Sequence, residues 1–353
     1  MKLIHCADLH LDSKLETNLE RQKAQIRRKE LVAAFENMVR FAVENGVRAV
    51  IVAGDLFDHT KVTRNTVQTV AGIIGSAKQI DFLVLAGNHD NNNPFEILES
   101  LPENLFFFKD SWTAFNYDNV TVSGITLGSS NSNVVYSSLE LDAARFNIAV
   151  MHGDISSEIN LPSLRGKNID YLALGHLHEH SEGRLDERGV YAYCGCLESR
   201  GFDESGIKGF YLIDTEKKSY TFVSGMAIRN MFEIKVDITG LMQYAEIRSA
   251  VERELSLNSV RECDMVKIIL TGSSCVDANK DTNQLVKYLQ GRFFFAKLKD
   301  KSTTEIRAED YKNDISLKGE FVRQVLSQNL SQEEREQVIL CGIRAIRGEE
   351  IEL

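Results

Sequence analysis

Five polar clusters, each placed directly after a run of apolar residues, constrain this chain more than any other feature. They are Asp8-Leu9-His10, Gly54-Asp55-Leu56-Phe57-Asp58, Gly87-Asn88-His89-Asp90, His152-Gly153 and Gly175-His176-Leu177-His178. The runs that precede them, 2–7, 48–53, 80–86, 146–151 and 170–174, are short, apolar and bounded by glycine or polar residues, so they read as strands. Between the first two, Leu31, Phe35, Met38 and Ala42 recur at i, i+4, i+7 and i+11 and predict a helix over 28–45 that stops at Gly46. From 120 to 224 short strands dominate, at 120–127, 190–195, 209–214 and 219–224. Strands alternating with helices, then a strand-rich stretch, imply stacked sheets flanked by helices.

The clusters share a chemistry. Alternate residues of an extended segment face one way, so Asp8 with His10, and His176 with His178, can each aim two side chains at one point. Glycine ahead of Asp55, Asn88 and His176 permits close approach of the backbone. Carboxylate, amide carbonyl and imidazole without thiolate suit octahedral manganese or iron rather than a structural zinc site. Five of the eight histidines belong to the set. Of the others, His5 lies inside the first strand and reads as a core histidine, and His59 and His180 read as solvent-exposed. Cys194-Gly195-Cys196 has no second pair at zinc spacing and reads as a buried turn.

Composition narrows the setting. Lys and Arg number 41 against 51 Asp and Glu, a net charge of −10, which does not by itself favour nucleic acid. Six cysteines are too few to staple 353 residues and read as reduced thiols of a cytoplasmic protein. His5 and Asp8 fall where a leader peptide needs an apolar run, and the long uncharged stretch 119–139 is rich in serine and asparagine, so no membrane segment is expected. Near Met231 the character changes. Strands at 232–237, 265–270 and 293–298 with helices at 241–255 and 283–290 form a β-α-β-α-β unit. Two amphipathic helices follow Ser316, the second opened by the capping box Ser331-Gln332-Glu333-Glu334. Their apolar stripes, Phe321, Val322, Val325 and Leu326 against Ile339, Ile343 and Ile346, are expected to need a further surface.

The ordered clusters resemble the calcineurin-like metallophosphoesterase superfamily, whose pattern runs D-x-H, G-D-x-x-D, G-N-H-D/E, H and G-H-x-H. More closely, IHCADLHLDS, AGDLFD, LAGNHD, MHGD, LGHLH and CGCLESRGFDESGIKG resemble the SbcD-type DNA repair exonucleases, in particular a YhaO-like bacterial branch. The resemblance is strong over 1–230 and holds in outline beyond. It implies an α/β fold, a four-layer α/β/β/α sandwich over 1–230, with a small α+β capping domain over 231–305 and a helical tail over 306–353. It also implies two divalent ions, manganese first, with iron or magnesium as alternatives. One ion would take Asp8, His10, Asp55 and His178; the other would take Asp55, Asn88, His152 and His176, with Asp55 bridging. His89 matches the catalytic histidine. Asp58 stands where relatives carry a second histidine, and comparable phosphatases use that acidic position to hold the Gly-Asn-His histidine.

Two ions about 3.5–4 Å apart can activate a water, neutralise a phosphodiester and align in-line attack, and phosphoryl transfer needs little else. The leading expectation is therefore a DNA repair nuclease, an exonuclease with single-strand endonuclease capacity. The alternative is a phosphoesterase acting on nucleotides or another small phosphodiester. A non-catalytic scaffold is disfavoured because no ligand type is missing. Arg27, Arg28 and Lys29, with Lys61 and Arg64 after the second cluster, are the candidate DNA contacts in an otherwise acidic chain. Through the resemblance the tail would bind an SbcC-type ABC ATPase by helix-in-groove contacts, and a homodimer is a further expectation.

Overall fold

The computed structural model describes residues 1–15, 19–58, 62–87, 93–128, 134–204, 206–275, 278–305, 311, 313–346 and 348. The chain divides into two units, Met1–Met231 and Phe232–Leu353. The first carries β1 (Lys2–Cys6), α1 (Arg21–Glu44), β2 (Ala49–Ala53), α2 (Arg64–Ser76), β3 (Asp81–Leu85) and β4 (Leu105–Phe107). It continues through β5 (Thr113–Tyr117), β6 (Val120–Gly124), β7 (Phe146–His152), β8 (Tyr171–Gly175), β9 (Ser181–Arg184), β10 (Val190–Tyr193), β11 (Gly209–Asp214) and β12 (Ser219–Ser224).

These strands make two six-stranded sheets, in the orders β12-β11-β1-β2-β3-β4 and β5-β6-β7-β8-β10-β9. In the first, β1 to β4 are parallel, and β11 and β12 add to one edge antiparallel. In the second, β6, β7, β8 and β10 are parallel between antiparallel edges. Alternation along each strand sends one set of side chains between the sheets. Leu3, Ile51 and Leu83 of the first sheet meet Val122, Ile148, Val150 and Ala173 of the second in one buried core. The opposite set, Ile4, Val50, Val52 and Phe82, packs beneath α1 and α2 against Leu31, Phe35, Met38, Val67, Val70 and Ile74. The outer face of the second sheet is covered by Val135, Leu139, Ile159 and Leu164, from turns and a short 3-10 helix at Leu161–Leu164. That covering layer is thin.

Because the parallel strands run one way, their carboxyl ends lie at one edge of the sandwich, where an α/β sheet presents its loops to a ligand. Some elements were not anticipated: α2, β4, β5 and β9, and the first two turns of α1. The helix α1 starts at Arg21 rather than near 28 because Ala24 and Arg27 are buried and hold those polar turns onto the protein. His5 is fully buried, with Nδ1 2.9 Å from the Tyr171 hydroxyl and Nε2 3.2 Å from Leu174 O, as a core histidine should be. Cys194 and Cys196 are buried, and all six cysteines are free thiols.

In the second unit β13 (Met231–Asp237), β14 (Met265–Thr271) and β16 (Phe295–Asp300) form a sheet in the order β13-β14-β16. The helices α3 (Tyr244–Leu257) and α4 (Thr282–Arg292) bury Ile247, Val251, Leu285 and Leu289 against it. A two-stranded pair, β15 (Ser273–Cys275) and β17 (Thr303–Glu305), lies beyond. The helices α5 (Leu317–Leu326) and α6 (Gln332–Ile346) make a hairpin with its own core of Val322, Val325, Ile339 and Ile343 beneath Tyr311. The pair thus buries more of its stripes internally than expected, while Ile315, Leu317, Val338 and Ile346 stay exposed. The capping box is present: Glu334 N donates to Ser331 Oγ (3.3 Å) and Ser331 N to Glu334 Oε2 (2.9 Å). Among the described residues no helix is long and apolar enough to cross a membrane.

Candidate metal centre

The loops after β1 and β2 run side by side beyond the sheet. Asp8 N donates to Gly54 O, His10 N to Asp55 O, Leu11 N to Leu56 O and Asp58 N back to Leu11 O, all between 3.0 and 3.1 Å. Asp8, His10, Asp55 and His176 all have positive φ, at 53°, 45°, 52° and 103°. Four non-glycine residues in this sparsely populated region cost of order 1–3 kcal/mol each, and such strain persists where the surroundings fix it for a purpose. This also corrects the reasoning from extended alternation. Asp8 and His10 do converge, but through left-handed turns after β1 has ended at Cys6.

Close approach is visible at two glycines. A methyl at Gly54, itself at φ +97°, would fall 2.1 Å from His152 Nδ1, and one at Gly87 would fall 2.1 Å from Asp55 Oδ1. Only hydrogen fits there.

The side chains form two overlapping groups, Asp8 with His10 and His178, and Asp8 with Asp55 and His152, each holding its ligand atoms within 4.8 Å of one another. Asp8 is common to both groups, and Asp55 Oδ2 lies 3.7 Å from His10 Nε2 and 3.5 Å from His152 Nε2, so the Asp55 carboxylate reaches a histidine of each. The Asp8 carboxylate is aimed by the His176 backbone N–H, which donates to both oxygens at 3.0 and 2.9 Å. The His176 ring packs edge-on to His152, centroids 5.4 Å apart. Asn88 and His89 lie outside the described residues, as do His59 and Lys61.

The three imidazoles are held from behind. His152 Nδ1 is 2.8 Å from Ala53 O, His10 Nδ1 is 3.1 Å from Asp58 Oδ1, and His178 Nδ1 is 2.8 Å from Glu204 Oε1. An acceptor at Nδ1 keeps the proton there and leaves the Nε2 lone pair for a cation, the usual way a metal-binding histidine is oriented. His10 Nε2 and His178 Nε2 face one another at 3.2 Å. Two lone pairs at that distance repel, and a cation between them removes the conflict. The Asp8 carboxylate points the same way. Burial, then the Asp55 charge, pushes Asp8 well above the usual carboxylate range. Burial lowers His10 and His152, keeping both rings neutral and available. The residues present fit a dinuclear centre for divalent ions.

Several functional side chains escaped the sequence reading. His89, which Asp58 is expected to hold, lies outside the described residues; among those described, Ser13 Oγ donates to Asp58 Oδ2 (2.9 Å), Arg200 Nη1 donates to Oδ1 (2.8 Å), and His10 Nδ1 is 3.1 Å from Oδ1. Burial raises the Asp58 pKa, but these three partners outweigh burial and hold it well below the usual range. Arg200, Glu204 and Lys208 lie within the stretch CGCLESRGFDESGIKG, where the sequence assigns them no individual role. The three-dimensional pairing that gives them roles leaves no periodic signal.

One expectation is overturned. Arg27 cannot contact DNA, because it is fully buried: Nη1 donates to Glu30 (2.6 Å) and Glu198 (2.7 Å), and Nη2 to Ser199 O (2.6 Å). Arg28 and Lys29 line a cleft of about 770 Å³ between α1 and the start of α2, beside Lys14. Arg28 is half-buried and donates to Lys14 O (2.9 Å), Lys29 is exposed, and Arg64 is the exposed first residue of α2.

Comparison with known proteins bears on this geometry. The family model for calcineurin-like phosphoesterases matches residues 1–180. The DNA double-strand break repair protein Mre11 of Saccharolobus solfataricus is 28% identical over 242 residues, 62% of this chain and 61% of that protein. Mre11 of Methanopyrus kandleri is 25% identical over 289 residues, 72% of this chain and 63% of that protein. The metallophosphoesterase YhaO of Bacillus subtilis is 25% identical over 299 residues, 78% of this chain and 72% of that protein. The match thus spans less than two thirds of either Mre11 protein.

Proposed function

We propose, from the premise that this chain belongs to the calcineurin-like phosphoesterase family, that it is a DNA repair nuclease of the SbcD type. It would degrade DNA from ends and cut single strands internally. The observation that carries the reading is the convergence of buried Asp8, His10, Asp55 and His152 with partly exposed His178 at one strand edge. The similarity to proteins named for double-strand break repair supports DNA as substrate.

His10 and His178 with Asp8 would hold one ion and His152 with His176 and Asn88 the other, Asp55 lying between. Manganese suits this donor set best, with iron or magnesium as alternatives. Bound there, two divalent ions supply Lewis acidity, charge neutralisation and an activated nucleophile at neutral pH. The chain's own groups do the rest. Asp8 is fixed by the His176 amide, and His10 by Asp58, so the donors are preorganised before substrate arrives. His89, following Asn88 in the Gly-Asn-His sequence, would protonate or stabilise the leaving oxygen. Arg28, Lys29 and Arg64, together with Lys61, are the candidate contacts for the DNA backbone, now without Arg27.

A cytoplasmic setting fits the six free thiols. The α5–α6 hairpin leaves Ile315, Leu317, Val338 and Ile346 exposed, apolar positions suited to the coiled-coil base of an SbcC-type ABC ATPase; assembly as a homodimer belongs to the same reading. Residues 231–305 would act as the capping domain and 306–353 as the partner-binding tail.

End-labelled linear and single-stranded DNA, digested with and without added manganese, tests the reading. Manganese-dependent cleavage that His89→Ala removes is the expected result. Turnover of a generic small diester with DNA left intact would favour the small-substrate phosphoesterase instead.

A further inference from the structure

The ligands Asp8, Asp55 and His152 follow directly on, or end, central parallel strands. His178 does not. It lies in a bend three residues past the end of β8, and its side chain is 27% exposed, against 1% for His10 and 6% for His152. Ladder hydrogen bonds therefore do not fix it. The segment from Gly195 to Lys208 does.

Three contacts converge on that residue. Glu204 Oε1 lies 2.8 Å from His178 Nδ1. Lys208 Nζ donates to the His178 carbonyl at 2.9 Å. The backbone of Gly195 passes so close that an added Cβ would fall 2.8 Å from the same carbonyl oxygen. Arg200 locks the arrangement: Nε and Nη2 both donate to Glu204 Oε1 (2.9 and 2.7 Å), while Nη1 donates to Asp58, the carboxylate behind His10. Arg200 Nη2 is also 3.4 Å from His178 Nδ1. A guanidinium can only donate, so that contact would require a bare Nδ1, which would then repel the carboxylate at 2.8 Å. The shorter contact decides: Nδ1 keeps its proton for Glu204, and Nε2 is free. At its other end the segment is anchored by Glu198, which accepts from fully buried Arg27 (2.7 Å) and from Ile228 N (2.5 Å).

We infer that Glu204 is a positioning residue for the metal centre, fixing the tautomer and direction of His178, and that Arg200 couples it to Asp58 so that both imidazoles of one cation position are set together. This rests on the dinuclear reading above. Its role is preorganisation rather than bulk stability, because Glu204 bonds at the centre's edge and fills no apolar core.

The test is calorimetric titration of metal-free full-length protein with manganese, with no substrate present, for wild type, Glu204→Gln and Glu204→Ala. An outer partner of this kind is expected to be worth about 10–100-fold in affinity. Glu204→Ala should lose that factor at one position of two and leave the other unchanged. Glu204→Gln keeps the size and an acceptor oxygen, so it should fall between the other two and covers the case in which the alanine variant fails to fold. The manganese concentration for half-maximal cleavage should rise in parallel, with the rate recovering at saturating metal. Unchanged manganese affinity in both folded variants overturns the inference while leaving the centre intact. Absence of binding in wild type overturns the centre and the inference with it. A rate that saturating manganese does not restore also contradicts a positioning role.

Discussion

Among the described residues of the first unit, eight non-glycine residues have positive φ, and four of them are candidate metal ligands. In the second unit only Ser259 and Asp281 do, one just past the end of α3 and the other capping α4. Buried charge divides the same way. Asp8, Asp55, Asp58, Glu198, Glu204, Arg27 and Lys208 are all buried in the first unit, whereas among the described residues of the second only Asp264, paired with Arg261, is a buried charge. Both candidate metal groups lie in the first unit. Both units contain parallel strands with helices packed on an apolar face, so architecture alone does not explain the contrast. Local rules are broken where the candidate metal ligands gather and largely kept in the second unit.

The contrast is broken most severely at its centre. Asp55→Ala should reduce cleavage to background, since its carboxylate reaches a histidine of each group, and Gly54→Ala should approach that loss by driving a methyl into His152. If either variant keeps wild-type turnover, the crowding at the strand ends has no catalytic meaning.

Next in size is Arg27→Ala, which leaves buried Glu198 without its cation while Glu30 keeps Arg229, and should cost about 3–5 kcal/mol in denaturant unfolding. Arg28→Gln with Lys29→Gln should instead leave stability nearly unchanged and flatten the salt dependence of duplex binding by about 0.9 per lost phosphate contact. Equal stability losses from the two substitutions would mean that the burial of Arg27 has been misjudged.

A pH effect of intermediate size sharpens the comparison. Burial and the Asp55 charge hold the Asp8 proton in the metal-free fold to higher pH than in the unfolded chain, which releases it around pH 4. The stability of that fold is eroded as pH rises from there toward the raised folded value, and cation binding must expel that proton. The rise in Tm produced by manganese should therefore grow as pH rises from about 4. Glu204 has the opposite sign: burial raises it, but His178 and Arg200 bring it down to about 2. Its contribution is present above about pH 4 and disappears only as pH falls toward 2. A manganese shift that shrinks with rising pH contradicts the proton assignment.

The smallest effect belongs to the second unit. Gly291 lies within α4 with open space about its missing Cβ, so Gly291→Ala should raise stability by about 0.5–1 kcal/mol. The same substitution at Gly54 should do the reverse.

Much of this was legible in the chain. Strands β11 and β12 have the expected bounds, and the order of the polar clusters led to the right sheet edge, because strand ends are local and a parallel sheet gathers them. Other features were hidden for physical reasons. The turns of α1 before residue 28 look polar because their anchor is a buried arginine, and β9, Ser181–Arg184, is a polar edge strand with no apolar alternation. Asp8 and His10 were paired through an extended geometry they do not adopt. Glu204 and Arg200 act on residues far away in sequence, through contacts that only folding creates.

The most direct test of the account is the number of manganese ions held by each chain, counted by elemental analysis after equilibrium dialysis. Wild type should hold two, and His178→Ala about one under conditions that saturate wild type. Asp55→Ala should hold neither at wild-type affinity. Two ions bound with undiminished affinity by Asp55→Ala, or none by wild type, would contradict a dinuclear centre at these strand ends.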